Sequence, residues 1–204
     1  MNSSSERFHL NKKARQVIQI IVVIICVAFV AKVTLQRRSE SRAEAYIVSD
    51  GERTLMNLSR LRGIPLHNLR TGKSEELQDR PRQKLRLLVF LTAADCSTCL
   101  SQLPHWDFLS RTTAIKDLDI VLIFVYTSQD EARSFLDAYR LPYDAFLDDR
   151  NLIPGAVGIP SKTPVSILVR NDYEVLTASP ATNSTDLQRS FEARVQSIAE
   201  LNAK

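Results

Sequence analysis

Leu85-Arg86-Leu87-Leu88-Val89-Phe90-Leu91-Thr92-Ala93-Ala94-Asp95-Cys96-Ser97-Thr98-Cys99 is the stretch that decides how this chain folds. Its first seven residues are apolar except for Arg86, the pattern of a strand buried on both faces of a sheet. After the cysteines, Leu100, Leu103, Trp106 and Leu109 recur at a spacing of three, which predicts an amphipathic helix kinked by Pro104. A Cys-x-x-Cys pair between strand and helix puts the first sulfur at a helix N-terminus. Unpaired backbone N–H groups and the helix dipole stabilise a thiolate there. The thiolate is the species that attacks disulfides.

The strand pattern repeats downstream. Ile120–Tyr126 is a second apolar run, and Val165–Val169 a third. Asn171-Asp172 then reads as a turn into a hairpin partner, Tyr173–Leu176. Ser128-Gln129-Asp130-Glu131 is a capping box opening a helix with Ala132, Phe135, Leu136 and Tyr139 inward. Thr185-Asp186-Leu187-Gln188 reads as another, opening a last helix with Leu187, Phe191, Val195, Ile198 and Leu201 on one face. Alternating strands and helices ending in a hairpin imply an α/β domain, a mixed sheet covered by helices on both faces. Its expected extent is 62–204.

Upstream, Val17–Leu35 reads VIQIIVVIICVAFVAKVTL, with only Gln19, Lys32 and Thr34 polar. About 20 apolar residues span a bilayer as a helix. No small-x-small cleavage site follows, so an uncleaved signal-anchor is expected over 17–35. Residues 1–16 are then a short basic cytoplasmic tail, and 36–61 a charged juxtamembrane tether. The flanking Lys and Arg are nearly balanced (Arg7, Lys12, Lys13, Arg15 against Lys32, Arg37, Arg38, Arg42), so the positive-inside rule does not decide the orientation. The short tail favours an extracytoplasmic soluble part, periplasmic or on the cell surface, where disulfides persist. Cys26 within the span is read as a small apolar residue.

The 204 residues suit one domain with an appendage. A net charge of +4 without a basic stripe interleaved with aromatics argues against nucleic acid. Three cysteines cannot build a multi-bridge disulfide scaffold. A structural zinc site needs four ligands, and Cys96 and Cys99 have no second cysteine pair, only His9, His67 and His105 elsewhere. No metal is expected. A copper-chaperone site would need a histidine well downstream, and none follows His105. His105 is expected as a surface or helix-face residue rather than a catalytic base, and Trp106 in the core. Asn183-Ser184-Thr185 fits a glycosylation sequon and is read as loop and helix cap.

On these residues the chain resembles the thioredoxin-like fold, in particular the membrane-anchored TlpA/ResA-type thiol–disulfide oxidoreductases of the redoxin, or AhpC/TSA-like, branch. The resemblance covers about 62–202. Cys96 and Cys99 match the redox pair, and Pro104 the proline of the active-site helix. Ile159-Pro160-Ser161-Lys162-Thr163-Pro164-Val165 resembles the segment whose Thr-Pro bond is cis. Gly63-Ile64-Pro65-Leu66 through Thr71-Gly72-Lys73 resembles the branch's N-terminal hairpin. The resemblance implies that Cys96 is the nucleophile and Cys99 resolves the mixed disulfide. It implies that Thr163 and Pro164 hold an extended substrate segment. No cofactor is implied beyond the Cys96–Cys99 disulfide. The implied partners are protein thiols or disulfides and a membrane or extracytoplasmic thiol electron donor.

Three departures modulate this. Asp95 replaces the usual aromatic before the first cysteine, and a carboxylate there opposes thiolate formation. Ser97 and Thr98 supply hydroxyls that donate to a thiolate and partly offset it. Phe90 stands where thioredoxins carry a buried acid. Slow or specialised exchange is therefore expected. Two other readings stand beside the oxidoreductase. One is a redox-inactive thioredoxin-fold binding module of a membrane complex. The other is a peroxiredoxin-like peroxidase, which needs a proline at position 89 and Thr or Ser at 93, where this chain has Val89 and Ala93.

Overall fold

A computed structural model describes residues 12–42, 44–49, 52–77, 85–93, 96–112, 118–170 and 173–202. The chain divides into two units, 1–38 and 39–204.

The first unit is carried by one continuous helix, α1 (Lys12–Arg42), about 46 Å long at the α-helical rise. Its side chains are described over 20–35, and residues 20–32 are all exposed, from Ile20 through Phe29 to Lys32. Thr34 returns its hydroxyl to the Val30 carbonyl (2.7 Å), so this polar side chain is satisfied within the helix. Among the described residues no helix is long and apolar enough to cross a membrane. Most of the expected tail, 1–11, lies outside the described residues.

The second unit opens with a hairpin of β1 (Glu44–Ser49) and β2 (Glu52–Asn57) and a 3-10 turn, Leu58–Leu61. A seven-stranded sheet follows. Its strands are β3 (Leu66–Asn68), β4 (Ser74–Glu75), β5 (Leu85–Leu91), β6 (Leu118–Phe124), β7 (Asp144–Leu147), β8 (Val165–Arg170) and β9 (Glu174–Ser179), in the order β4-β3-β7-β6-β5-β8-β9. The centre, β7-β6-β5, is parallel, and β3, β8 and β9 join antiparallel. The helices are α2 (Cys96–Arg111), α3 (Gln129–Tyr139) and α4 (Thr185–Asn202). The expected apolar strands lie where their hydrophobic runs placed them. β8 and β9 form the expected hairpin, with the turn residues Asn171 and Asp172 outside the described residues.

Side chains along the central strands alternate between two cores. Leu85, Leu87, Val89 and Leu91 of β5 join Trp106 and Leu109 of α2, Phe135 of α3, and Phe191 and Val195 of α4. Leu88 and Phe90 face the other way, toward Met56, Leu58, Leu61 and Val157. All three long helices therefore cover one face. The crossovers β5-α2-β6 and β6-α3-β7 step the same way along the sheet, and right-handed crossovers then place both helices on the same side. The expectation of helices on both faces is corrected. The second face is closed by the β1–β2 hairpin, the 3-10 turn and a π-helical turn, Pro154–Gly158.

The expected domain start at 62 is corrected with it. Ala45, Ile47, Met56, Leu58 and Leu61 are buried in the core, so 44–61 belongs to the folded unit and is no tether. The fit is close. Gly158 has φ +83°, and a Cβ there would lie 2.6 Å from the Leu55 carbonyl oxygen.

Helix ends follow local chemistry. Ser128 and Glu131 form the expected capping box reciprocally. The Ser128 hydroxyl and its backbone N–H both bond the Glu131 carboxylate and hold it below its ordinary value of 4.5. In α3 Ala132 and Phe135 are buried, whereas Tyr139 is exposed. At α4 the cap shifts by one residue. Ser184, not Thr185, accepts from the Leu187 N–H (3.5 Å), and the Gln188 side chain donates instead to the Thr182 carbonyl (2.8 Å). The buried stripe is Gln188, Phe191, Val195 and Ala199. Leu187 and Leu201, expected inward, are 56% and 71% exposed.

Two tests follow. Met56→Ala is expected to cost about 2–5 kcal/mol of unfolding free energy in denaturant titration, the range for a buried methionine; a loss typical of a tether residue would return 44–61 to a linker. The depressed Glu131 carboxyl stabilises the fold above its unfolded titration, and that contribution disappears as pH falls through the folded value. Glu131→Gln is therefore expected to flatten the acid-side fall in stability measured by urea unfolding between pH 7 and pH 3, and an unaltered slope would remove the cap from the account.

Candidate functional site

The site is built where three chain segments leave the C-terminal ends of β5 and β6 and enter the N-terminal end of β8. β5 pairs antiparallel with β8, and Phe90 lies opposite Val165. The residues just before β8, Thr163 and Pro164, therefore meet the residues just after β5. The Thr163–Pro164 peptide bond is cis, as the resemblance implied. The Thr92 N–H donates to Thr163 Oγ1 (3.2 Å), and both residues are buried. A backbone donor past a strand end has lost its ladder partner, and burial without another is costly. The Thr163 hydroxyl supplies it.

The next residue is tied to the opposite flank. The Ala93 N–H donates to Thr127 Oγ1 (3.0 Å), which donates in turn to the Val125 carbonyl (3.0 Å). Val125 N–H continues the β5–β6 ladder onto Leu91 (2.9 Å). The strap 92–93 thus runs between the Thr163–Pro164 loop and the β6–α3 loop, each holding one backbone N–H. Tyr126, between Val125 and Thr127, is exposed at φ +53°, a left-handed conformation uncommon for an aromatic residue.

The strap delivers the chain to α2, whose first four residues are Cys96, Ser97, Thr98 and Cys99. Their side chains, and Asp95 altogether, lie outside the described residues. The backbone alone places Cys96 at the helix N-terminus, where the free N–H groups and dipole favour an anion. About two turns beyond Cys99, α2 presents its buried face. Trp106 is 2% exposed, as expected. His105 is a half-buried helix-face residue that pairs through Nδ1 with Glu192 Oε1 of α4 (2.5 Å). Val89, at the position where a peroxidase reading needs proline, is fully buried within β5.

The sequence shows the cysteine pair and the Thr163–Pro164 dipeptide as motifs and does not show the residues that hold the backbone. Thr92, Thr127 and Tyr126 carry no motif. The roles of Thr92 and Thr127 arise from which N–H groups the strand ends leave without partners, and Tyr126 makes the left-handed turn that precedes Thr127.

No family model matches the chain, and no curated protein matches it in sequence. Solved structures do match. A secreted Mycobacterium tuberculosis disulfide oxidoreductase homologous to Escherichia coli DsbE superposes with a TM-score of 0.54 at 20% identity, covering 68% of this chain and 97% of that one. M. tuberculosis DsbF, in its mixed oxidized and reduced forms, gives 0.54 at 16% identity, over 69% and 97%. An uncharacterized thioredoxin-like protein from Porphyromonas gingivalis gives 0.53 at 14% identity, over 68% and 91%. The fold of this chain is thioredoxin-like.

Thr163→Val, which removes the acceptor for Thr92, is expected to cost about 1–3 kcal/mol, the penalty of a buried unpaired donor. Thr163→Ser retains the hydroxyl and should recover most of it. Denaturant unfolding of the two variants checks this, and a loss in Thr163→Ser with none in Thr163→Val would mean that the methyl group, not the hydroxyl, matters.

Proposed function

We propose that this chain is a thiol–disulfide oxidoreductase, anchored in the membrane by α1, that exchanges disulfides with extracytoplasmic proteins through Cys96 and Cys99. The observation that carries the reading is the Thr92–Thr163 bond. It joins the strap entering the Cys96 helix to the loop before β8, so that the nucleophile and a substrate-holding segment share one end of the sheet, at the C-terminal end of β5. The structural neighbours support the chemistry, since two of them are described as disulfide-handling proteins or as found in oxidized and reduced forms.

In this reading the Cys96 thiolate attacks a substrate disulfide. One substrate sulfur leaves as a thiolate and takes a proton, and a mixed disulfide remains. Cys99, one helical turn on, attacks the Cys96 sulfur, releases the second substrate thiol and closes the Cys96–Cys99 disulfide. Two electrons pass from enzyme to substrate, and a thiol donor outside the chain returns them. Thr163 and Pro164 hold the extended segment carrying the substrate disulfide. Asp95 raises the cost of the thiolate, and Ser97 and Thr98 lower it. No metal or other cofactor enters.

Anchoring by residues 17–35 rests on the apolar sequence of that stretch and on the continuity of α1 through it; the side chains described, from Ile20 to Leu35, are a shorter run than a span needs. A helix apolar all round satisfies its own backbone in lipid. One disulfide-handling neighbour is itself secreted, which fits a domain outside the cytoplasm.

Thiol trapping of the full-length chain across glutathione buffers tests the proposal. A reversible two-electron couple is expected, abolished by Cys96→Ser. A pair that never closes would contradict catalysis and favour the binding module that uses the Thr163–Pro164 loop alone. Alkaline carbonate extraction tests the anchor: the chain should stay with the membrane pellet, and release into the supernatant would refute the span.

A further inference from the structure

Behind the proposed redox site, α2 and α4 meet over β8 and β9 along a polar seam. Gln102 of α2 and Gln188 of α4 are both buried. Their side-chain amides converge on one acceptor, the Thr182 carbonyl, at 3.5 and 2.8 Å. The His105–Glu192 pair closes the seam further along α2. A small, partly open cavity of ≈ 20 Å³ lies there, lined by the apolar Trp106, Leu109 and Phe191 and by Ser166 and Ser179.

Ser166 is the informative residue. It stands opposite Ser179 in the β8–β9 ladder and is 1% exposed. Ser179 turns its hydroxyl to the Pro180 carbonyl (3.4 Å). The Ser166 hydroxyl is buried with no hydrogen-bond partner among the described groups, and it faces the cavity. Natural proteins rarely leave such a group unsatisfied.

We infer that this seam is a binding site for one internal water molecule, which bridges the Ser166 hydroxyl to the polar side chains joining α2 and α4. The size argues for water. A cavity of about 10–15 Å³ by the same measure admits one molecule, and this one is too small for an organic ligand. The chemistry agrees, because a buried water takes two to four polar partners. Ser166 Oγ, Ser179 Oγ and the two glutamine amides line or border the space.

The location gives the water a positioning role. Ser166 lies two residues after Pro164, and Gln102 three residues after Cys99 on α2. The bridge therefore ties the strand behind the substrate loop to the helix that carries the cysteines. This second part rests on the proposed thiol exchange; the water site itself does not.

Water–protein Overhauser measurements on the isotopically labelled full-length chain in detergent micelles test the site. Long-lived water cross-peaks are expected at the Gln102 and Gln188 side-chain amides. Ser166→Ala, which adds no volume and removes one of the water's few polar partners, should weaken or abolish them. Absence of a long-lived water in the wild type would overturn the inference, as would cross-peaks undiminished in Ser166→Ala. The positioning role is read separately, from the equilibrium constant of the Cys96–Cys99 couple against glutathione. A shift of about threefold or more is expected in Ser166→Ala, equivalent to roughly 14 mV for a two-electron couple. An unchanged constant beside a lost water would overturn that role. A wild type with no couple at all would refute the oxidoreductase reading and the positioning role with it, and leave the water site decided by its cross-peaks.

Discussion

The antiparallel pairing of β5 with β8 is the constraint on which the rest of this structure depends. β5 is the strand that feeds the cysteine helix, and β8 is the strand that Thr163 and Pro164 enter. Pairing them in the register that sets Phe90 opposite Val165 brings two segments some seventy residues apart in sequence to one end of the sheet. The Thr92–Thr163 bond is the last rung of that pairing, made by a side chain where the backbone ladder has run out. Every chemical role assigned to Cys96, Thr163 and Pro164 presumes that rung.

The two faces of the sheet serve different ends. One carries α2, α3 and α4, with polar ties between α2 and α4 that fix the rotation of α2 as apolar packing alone would not. A Leu or Val stripe tolerates sliding, whereas Gln102 and Gln188 sharing one carbonyl, and His105 meeting Glu192, do not. Loss of one partner in such a buried set leaves the other unsatisfied. The other face is closed without a long helix. Its hairpin and π-helical turn approach so tightly that only glycine fits at position 158.

The central strands were legible in the sequence for a physical reason. A strand buried on both faces must be apolar at consecutive positions, so β5, β6 and β8 announce themselves. The Ser128–Glu131 box is equally legible, because it is complete within four residues. The hairpin β1–β2 was not. Its buried set, Ala45, Ile47 and Met56, alternates with Glu44, Tyr46 and Leu55, and such weak alternation amid charge resembles a linker until the packing surface is known. The α4 register was ambiguous because Asn183, Ser184 and Thr185 can each cap a helix. A buried Gln188 then displaced Leu187 from the inner face, since its amide had a carbonyl to meet. The Cys96–Cys99 pair and the Thr-Pro dipeptide were visible as motifs, but the hydroxyls of Thr163 and Thr127 that hold the strap between them are decided by strand ends.

The most direct measurement is the structure of a trapped intermediate. A Cys99→Ser full-length chain, reacted with an oxidised peptide disulfide, should stop at a mixed disulfide on Cys96. Intermolecular NMR contacts should then place the peptide backbone along Thr163 and Pro164. A mixed disulfide whose peptide lies elsewhere, or a Cys96 that captures none, would contradict the claim that the β5–β8 pairing builds a single thiol-exchange site.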